Sequence, residues 1–329
     1  MQTYISPNPD YVRQTRDAVR AKLAVSLDHL VFDVFDGHVP APVSRAELTS
    51  LTERDGFPDP VVFALHAALV KTAMDGDPAR LPDLYRILED LRARPSAPTP
   101  PFTVTAFSDS AMHPDDMTLL GRVFADDVGL TTTLHPPAAD DVDRAKAQIK
   151  DALDGLAQAS GPWVEEMQLL ATDIYLAVSD SESDQKFGGA AVFDAFGAIL
   201  MNPLGFHDAA TVMMALVHES SHQQMFLFHL DDPVVLNDAD AAYASPLRRQ
   251  PRPMEGIFHA LWVSARMAAA AQDVLTSADT LPWADDLRIH QSRAVTAFRD
   301  CEKTVADHAQ LTDLGARLFA DARAAVNAI

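Results

Sequence analysis

Thr211-Val-Met-Met-Ala-Leu-Val-His-Glu-Ser-Ser-His-Gln-Gln-Met-Phe-Leu-Phe228 is the stretch that decides how this chain is read. It contains neither Gly nor Pro, and apolar residues dominate both of its ends. At its centre stands His218-Glu219-Ser220-Ser221-His222, an HExxH spacing. Residues four apart on a helix stand one above the other, so both imidazoles leave the same face. Two neutral ring nitrogens so placed can reach one divalent ion at about 2 Å. Glu219 follows the first His and is positioned to address a water at that ion. Bare polar groups are costly in an apolar helix, so the pair is expected either to bind metal or to be hydrogen-bonded in a core. The spacing predicts a mononuclear metal site. His229, seven residues past His222, returns to the same side but about 10 Å along the axis, and reads as structural.

Outward from the motif, two apolar runs precede the helix, Asp173 to Val178 and Phe196 to Met201, both strand-like in length and composition. Ser179 to Gly189 between them is polar and ends in two glycines, as a mobile flap or a solvated loop would. Asn202-Pro203 closes the second strand, and the metal helix is expected to start near His207-Asp208. A small sheet running into an HExxH helix is the zincin-type arrangement, an analogy of fold and not of chemistry. Helical periodicity predicts further helices over Pro9 to Asp36, Ser44 to Glu53, Asp59 to Met74, Pro82 to Leu91, Pro114 to Asp127 and Ala139 to Ala159. Beyond Asp238 it predicts Pro253 to Leu275, Ala284 to Gln310 and Leu311 to Ala328. Phe102 to Phe107 reads as a strand. The expected fold class is α+β and mainly helical, a zincin-like core with extra helices. Pro95-Ser-Ala-Pro-Thr-Pro-Pro101 cannot hold a helix. It divides an N-terminal helical region, 1–100, from a metal-binding α+β domain, 101–329, with one compact unit as the alternative.

A formal net charge of −21 argues against nucleic acid, whose phosphates need a basic face, and against anionic membrane surfaces. No apolar stretch of about 18 residues without charges occurs, and Tyr4 to Arg20 is too polar for a signal segment. Cytoplasm is the default location. Cys301 is the sole cysteine, so no intrachain disulfide can form, and Asp300 and Glu302 beside it disfavour a thiolate.

Two histidines leave an ion underdetermined. The extended HExxHxxGxxH pattern is absent, because Gln-Gln-Met-Phe-Leu-Phe follows His222. Glu255 suits a downstream carboxylate ligand, and His259 stands one turn beyond it on the same face. Both are reachable by spacing. Pro253 fits the first turn of their helix, and Gly256 permits close approach. Arg248, Arg249 and Arg252 precede it and stand out in so acidic a chain. A guanidinium near a metal is a bidentate holder for a carboxylate, whereas pairing with surface acids is the ordinary alternative for each. Arg266, two turns past His259, is a weaker option. Trp262 either borders the pocket or anchors packing.

The combination of His218-Glu219-Ser-Ser-His222, Ser245-Pro-Leu-Arg248 and Arg252-Pro-Met-Glu-Gly-Ile-Phe-His259 resembles the HExxH-motif peptide-modification proteins, which are encoded with ribosomally made, post-translationally modified peptides. The resemblance spans mainly Phe196 to Arg266, about a fifth of the chain. The family's RPxxGxxH element matches Arg252-Pro253, Gly256 and His259, which implies His259 and not Glu255 as third ligand. It further implies an iron(II), 2-oxoglutarate-dependent oxygenase that β-hydroxylates a residue of a precursor peptide. Three imidazoles would hold one face of an octahedral ion, leaving three positions for two co-substrate oxygens and dioxygen. Arg252 or Arg248 would take the far carboxylate of 2-oxoglutarate, and Glu219 would serve as an acceptor beside the ligands or as a ligand. The peptide would lie across the cleft, along the strand at Ala198 to Met201. Two other readings compete. One is a zinc peptidase with Glu219 as general base and Glu255 or His259 as third ligand. The other is a non-enzymatic protein retaining a structural metal.

Overall fold

Helix dominates the computed structural model, with 67 % of the described residues helical against 7 % in strands, so the mainly helical expectation holds. Residues 4–53, 57–94, 102–128, 133–179, 187–245, 250–277 and 281–329 are described. In chain order the helices are α1 (Pro9–His29), α2 (Arg45–Ser50), α3 (Pro60–Asp75), α4 (Leu81–Ala93), α5 (Pro114–Val128), α6 (Ala139–Ala159), α7 (Gly161–Leu170), α8 (Ala209–Phe228), α9 (Met254–Ser277), α10 (Ala284–His308) and α11 (Asp313–Asn327). The strands are β1 (Thr103–Ala106), β2 (Leu134–His135), β3 (Asp173–Leu176), β4 (Val178–Ser179), β5 (Gly189–Ala190) and β6 (Ala198–Met201). Two compact units result. One comprises Asp10–Val142 and Gln168–Pro203; the other comprises Met1–Pro9, Asp143–Met167 and Leu204–Ile329. The proline-rich connection at 95–101 and most of the polar segment proposed as a flap, 180–186, lie outside the described residues. Among the described residues, no helix is long and apolar enough to cross a membrane.

In the first unit, α1 carries Val12, Val19, Leu23 and Leu27 into the core and continues as a π-helical turn over Leu30–Val34. Ser44 closes a capping box: its hydroxyl accepts from the Glu47 amide while Glu47 accepts from the Ser44 amide. Asp59 caps α3, Pro60 supplies the first helical position, and Gly76 ends the helix at φ 63°. The sheet has the order β1-β3-β6-β5. Its first three strands are parallel, with Thr103, Asp173 and Ala198 level with one another, and β5 runs antiparallel to β6. Strands β3 and β6 read as continuous apolar runs because inner parallel strands are covered on both faces. This overturns one expectation. Ala198–Met201 is wholly buried and flanked by β3 and β5, so it is no edge to which a peptide strand could add. The run predicted through Val178 also divides, because Val178 and Ser179 leave the sheet to pair with β2.

In the second unit α9 is the central helix, with α8, α10 and α11 packed on it. Its buried face includes Met254, Ile257, Phe258, Leu261, Trp262 and Val263. Trp262 is a packing anchor: its Nε1 donates to Gln224 Oε1 at 3.1 Å, and its ring meets Phe228 edge-on at 5.6 Å. Cys301 is buried on α10, and burial pushes its thiol up to about 11. It is an inert core residue.

Candidate metal centre

Asp208 starts the motif helix as foreseen, accepting from the Thr211 amide at 2.7 Å. Helix α8 then buries residues on nearly every side, including Met213, Met214, Leu216 and Val217 before the motif and Met225, Leu227 and Phe228 after it. His218 and His222 stack one turn apart, ring centroids 5.0 Å and Nε2 to Nε2 3.3 Å. Glu219 is only 4 % exposed; its Oε1 lies 4.0 Å from His218 Nε2, and its Oε2 is buried with no hydrogen-bond partner.

The second strand of the site arrives through a short antiparallel bridge. Tyr243 and Arg252 exchange both backbone hydrogen bonds, at 2.8 and 2.9 Å, which fixes Arg252 immediately before Pro253 and the first turn of α9. The Arg252 guanidinium lies over Gly256, its Cζ 3.6 Å from where a β-carbon would stand. A β-carbon at 256 would rest against it in ordinary van der Waals contact. Two turns into the element, His259 comes against His222, ring centroids 5.6 Å apart and nearly parallel at 24°, with Nδ1 to Nδ1 at 3.4 Å. His259 also neighbours Phe226 at 5.9 Å and His229 at 5.4 Å.

The sequence reading placed three imidazoles on one ion, and the structure refines that picture. His222 turns different nitrogens to its two neighbours, Nε2 to His218 and Nδ1 to His259. The rings therefore meet in a row and not at one point. Among the described residues, donor atoms within 4.8 Å of one another form two sets: His218, Glu219 and His222, and His229, Glu255 and His259. Glu255, the alternative third ligand, belongs to the second set. His229, read as structural, joins it too; its seven-residue spacing from His222 was the signal in the sequence.

Electrostatics suit a cation. Burial pushes His259 down to about 3, with His229 and Arg252 adding to the effect, and holds His222 well below the usual imidazole range. Burial also pushes His218 down to about 4. Because 42 % of the His218 side chain stays open, the direction is what carries the chemistry: a neutral ring at pH 7, on the exposed side of the site. Neutral imidazoles are the ligand form. Burial alone drives Glu219 up to about 8, and a bound cation would oppose that shift. With unpartnered buried atoms on Glu219 and His259, these residues fit a divalent ion.

Of the two arginines expected near the ion, Arg252 is there and its charge acts on both His222 and His259. Arg248 lies outside the described residues, as does Arg249. Arg266 is unavailable for a co-substrate. It is fully buried in an ion pair with Glu166, and it donates to Ser221 Oγ at 3.1 Å and to the Ile5 carbonyl at 3.2 Å. Glu166 accepts in addition from the Asn8 amide at 2.5 Å and from Gln224 Nε2 at 3.3 Å. This network braces the rear of the motif helix. Glu166 was missed because α7, which carries it, leaves no strong periodicity in the sequence.

Neither the models of known protein families nor the curated proteins give a match to this chain.

Proposed function

We propose that this chain is an iron(II), 2-oxoglutarate-dependent oxygenase that β-hydroxylates a residue of a ribosomally made precursor peptide. One observation carries the reading: the Arg252-Pro-Met-Glu-Gly-Ile-Phe-His259 element sets an imidazole and a guanidinium together beside His222. That pairing is what a metal with a dianionic co-substrate requires, since the ion takes one end of the acid and the cation the other. In this reading His218, His222 and His259 hold the ion after a small turn of the His222 and His259 rings. Arg252 takes the far carboxylate, aided by the flat approach over Gly256. Glu219, buried and unpartnered at one oxygen, accepts a hydrogen bond within the site. The open side of His218 marks where substrate approaches. The core around α8 is zincin-like in this proposal, and one buried cysteine suits a cytoplasmic setting. When bound, iron(II), 2-oxoglutarate and dioxygen supply oxidation of an unactivated carbon with release of succinate and carbon dioxide.

A zinc peptidase is the second reading, favoured by one feature, the grouping of Glu219 with His218 and His222. Anaerobic addition of iron(II) and 2-oxoglutarate to metal-free protein separates the two. The oxygenase develops a weak visible charge-transfer band and turns 2-oxoglutarate into succinate once air is admitted, and Arg252→Ala weakens co-substrate binding. Absence of the band, together with oxygen-independent cleavage of a peptide by the zinc-loaded protein, would overturn the proposal.

A further inference from the structure

We propose that His229, Glu255 and His259 form a second divalent-cation site beside the HExxH pair. One donor atom from each lies within 4.8 Å of the others. The arrangement follows from the two helices. His229 ends α8 two turns past His222, and its amide donates to the Met225 carbonyl at 3.2 Å. Glu255 and His259 stand four apart on α9 and so share a face, directed at that end of α8. Two imidazoles and one carboxylate are a complete donor set for a divalent transition metal with open positions.

The packing gives a second, independent observation. Nε2 of His229 and Nε2 of His259 are both buried and neither has a hydrogen-bond partner. Their rings are 5.4 Å apart and tilted by 46°, so they do not satisfy each other. Two such buried atoms left unpaired are destabilising, and a shared ion would satisfy them. Glu255 is exposed, so the third donor can close over an ion arriving from solvent.

The site goes beyond the oxygenase proposal and does not depend on it. His259 reaches the second set with one ring nitrogen, and were its other nitrogen also to hold the ion at His218 and His222, the ring would bridge the two as an imidazolate, having released its N–H proton. The test is titration of the metal-free full-length chain with cobalt(II) alone, followed by visible absorption and by counting bound metal. Wild type should take up two equivalents. Glu255→Gln, on an exposed side chain that leaves the fold intact, should weaken one class of site by more than about tenfold. His229→Ala should do the same, with thermal unfolding confirming that the fold is retained. His218→Ala/His222→Ala should keep one equivalent, held at the second site. One equivalent in wild type, uptake unchanged in both Glu255→Gln and His229→Ala, or no uptake by the double variant would each overturn the proposal. Failure of 2-oxoglutarate chemistry leaves the count of two untouched, so the two readings fail separately.

Discussion

Replacing Glu166 by Gln tests whether the motif helix is held from behind. Arg266 and Glu166 are both wholly buried and paired, and burial pulls the guanidinium below its usual value while Glu166 opposes that shift. Gln keeps the shape and still offers one oxygen to the Asn8 amide, but its NH2 group then replaces the Oε1 that accepts from Arg266, so the substitution removes the charge and that acceptor together. Stranding a buried ion costs about 3–5 kcal/mol. A guanidinium cannot shed its proton at neutral pH, so no relief is available and the upper half of that range applies. For a chain of this size the melting temperature should fall by about 5–10 °C, read by calorimetry or circular dichroism on metal-free protein at pH 7. Arg266→Met should cost less, because a stranded carboxyl can take up a proton and bury itself neutral. The sign follows from linkage. A carboxyl whose folded form is easier to protonate destabilises as pH rises, so the Arg266→Met deficit should shrink as pH is lowered from 7 towards 5. The double variant should be more stable than the sum of the single losses by at least about 1 kcal/mol. A Glu166→Gln protein within about 0.5 kcal/mol of wild type would refute the reasoning, since that is the range of an ordinary surface change.

Three further outcomes are expected. Gly315→Ala would set a β-carbon 2.2 Å from the Val234 carbonyl oxygen, a backbone atom that cannot step aside. It should cost about 1–3 kcal/mol or more in denaturant unfolding, and an unchanged midpoint would contradict the close approach of α11 to the loop at Val234. Asp173, raised by burial from 3.8 to about 6, stabilises the fold least above that value; the stability present below pH 4 is lost as pH rises through 6. Asp173→Asn should therefore be more stable than wild type by about 2 kcal/mol at pH 7.5 and no more stable at pH 4, as thermal melts at the two pH values will show. Finally, saturating cobalt(II) at about a hundred times its dissociation constant should add about 2.7 kcal/mol of stability, reversed by a chelator. His222→Ala should lose the motif site's share of that gain and keep the share of the second site, and a melt indifferent to metal in wild type would count against any ion at this centre.

Most of the helices were legible because their signals are local. Ser44 with Glu47, Asp59 before Pro60, and Asp208 ahead of an apolar run each announce a start through chemistry within a few residues. The motif pair was legible for the same reason, since a spacing of four fixes a face. What the sequence could not supply was how two helices approach. His259 was expected at the ion, but which of its nitrogens faces His222, and that its other edge meets His229, depends on the crossing of α8 and α9. Arg266 illustrates the limit from the other side. Its spacing from His259 suggested a pocket residue, yet tertiary packing gave it Glu166, a partner a hundred positions away that no local pattern could nominate. The strand at Ala198–Met201 was recognised as a strand, whereas its place inside the sheet was set by Gly189–Ala190, too short to show any periodicity.

The link between Arg266 and the Ile5 carbonyl joins positions 261 residues apart. During synthesis, therefore, the support behind Ser221 can be completed only after α9 has left the ribosome and found a segment made 261 residues earlier. Closing so long a loop is entropically slow, which makes it a late event in folding. Until then the HExxH helix can be wound yet unanchored. A change that disturbs residues 4–9 thus acts on the surroundings of His218 and His222 across a long stretch of sequence.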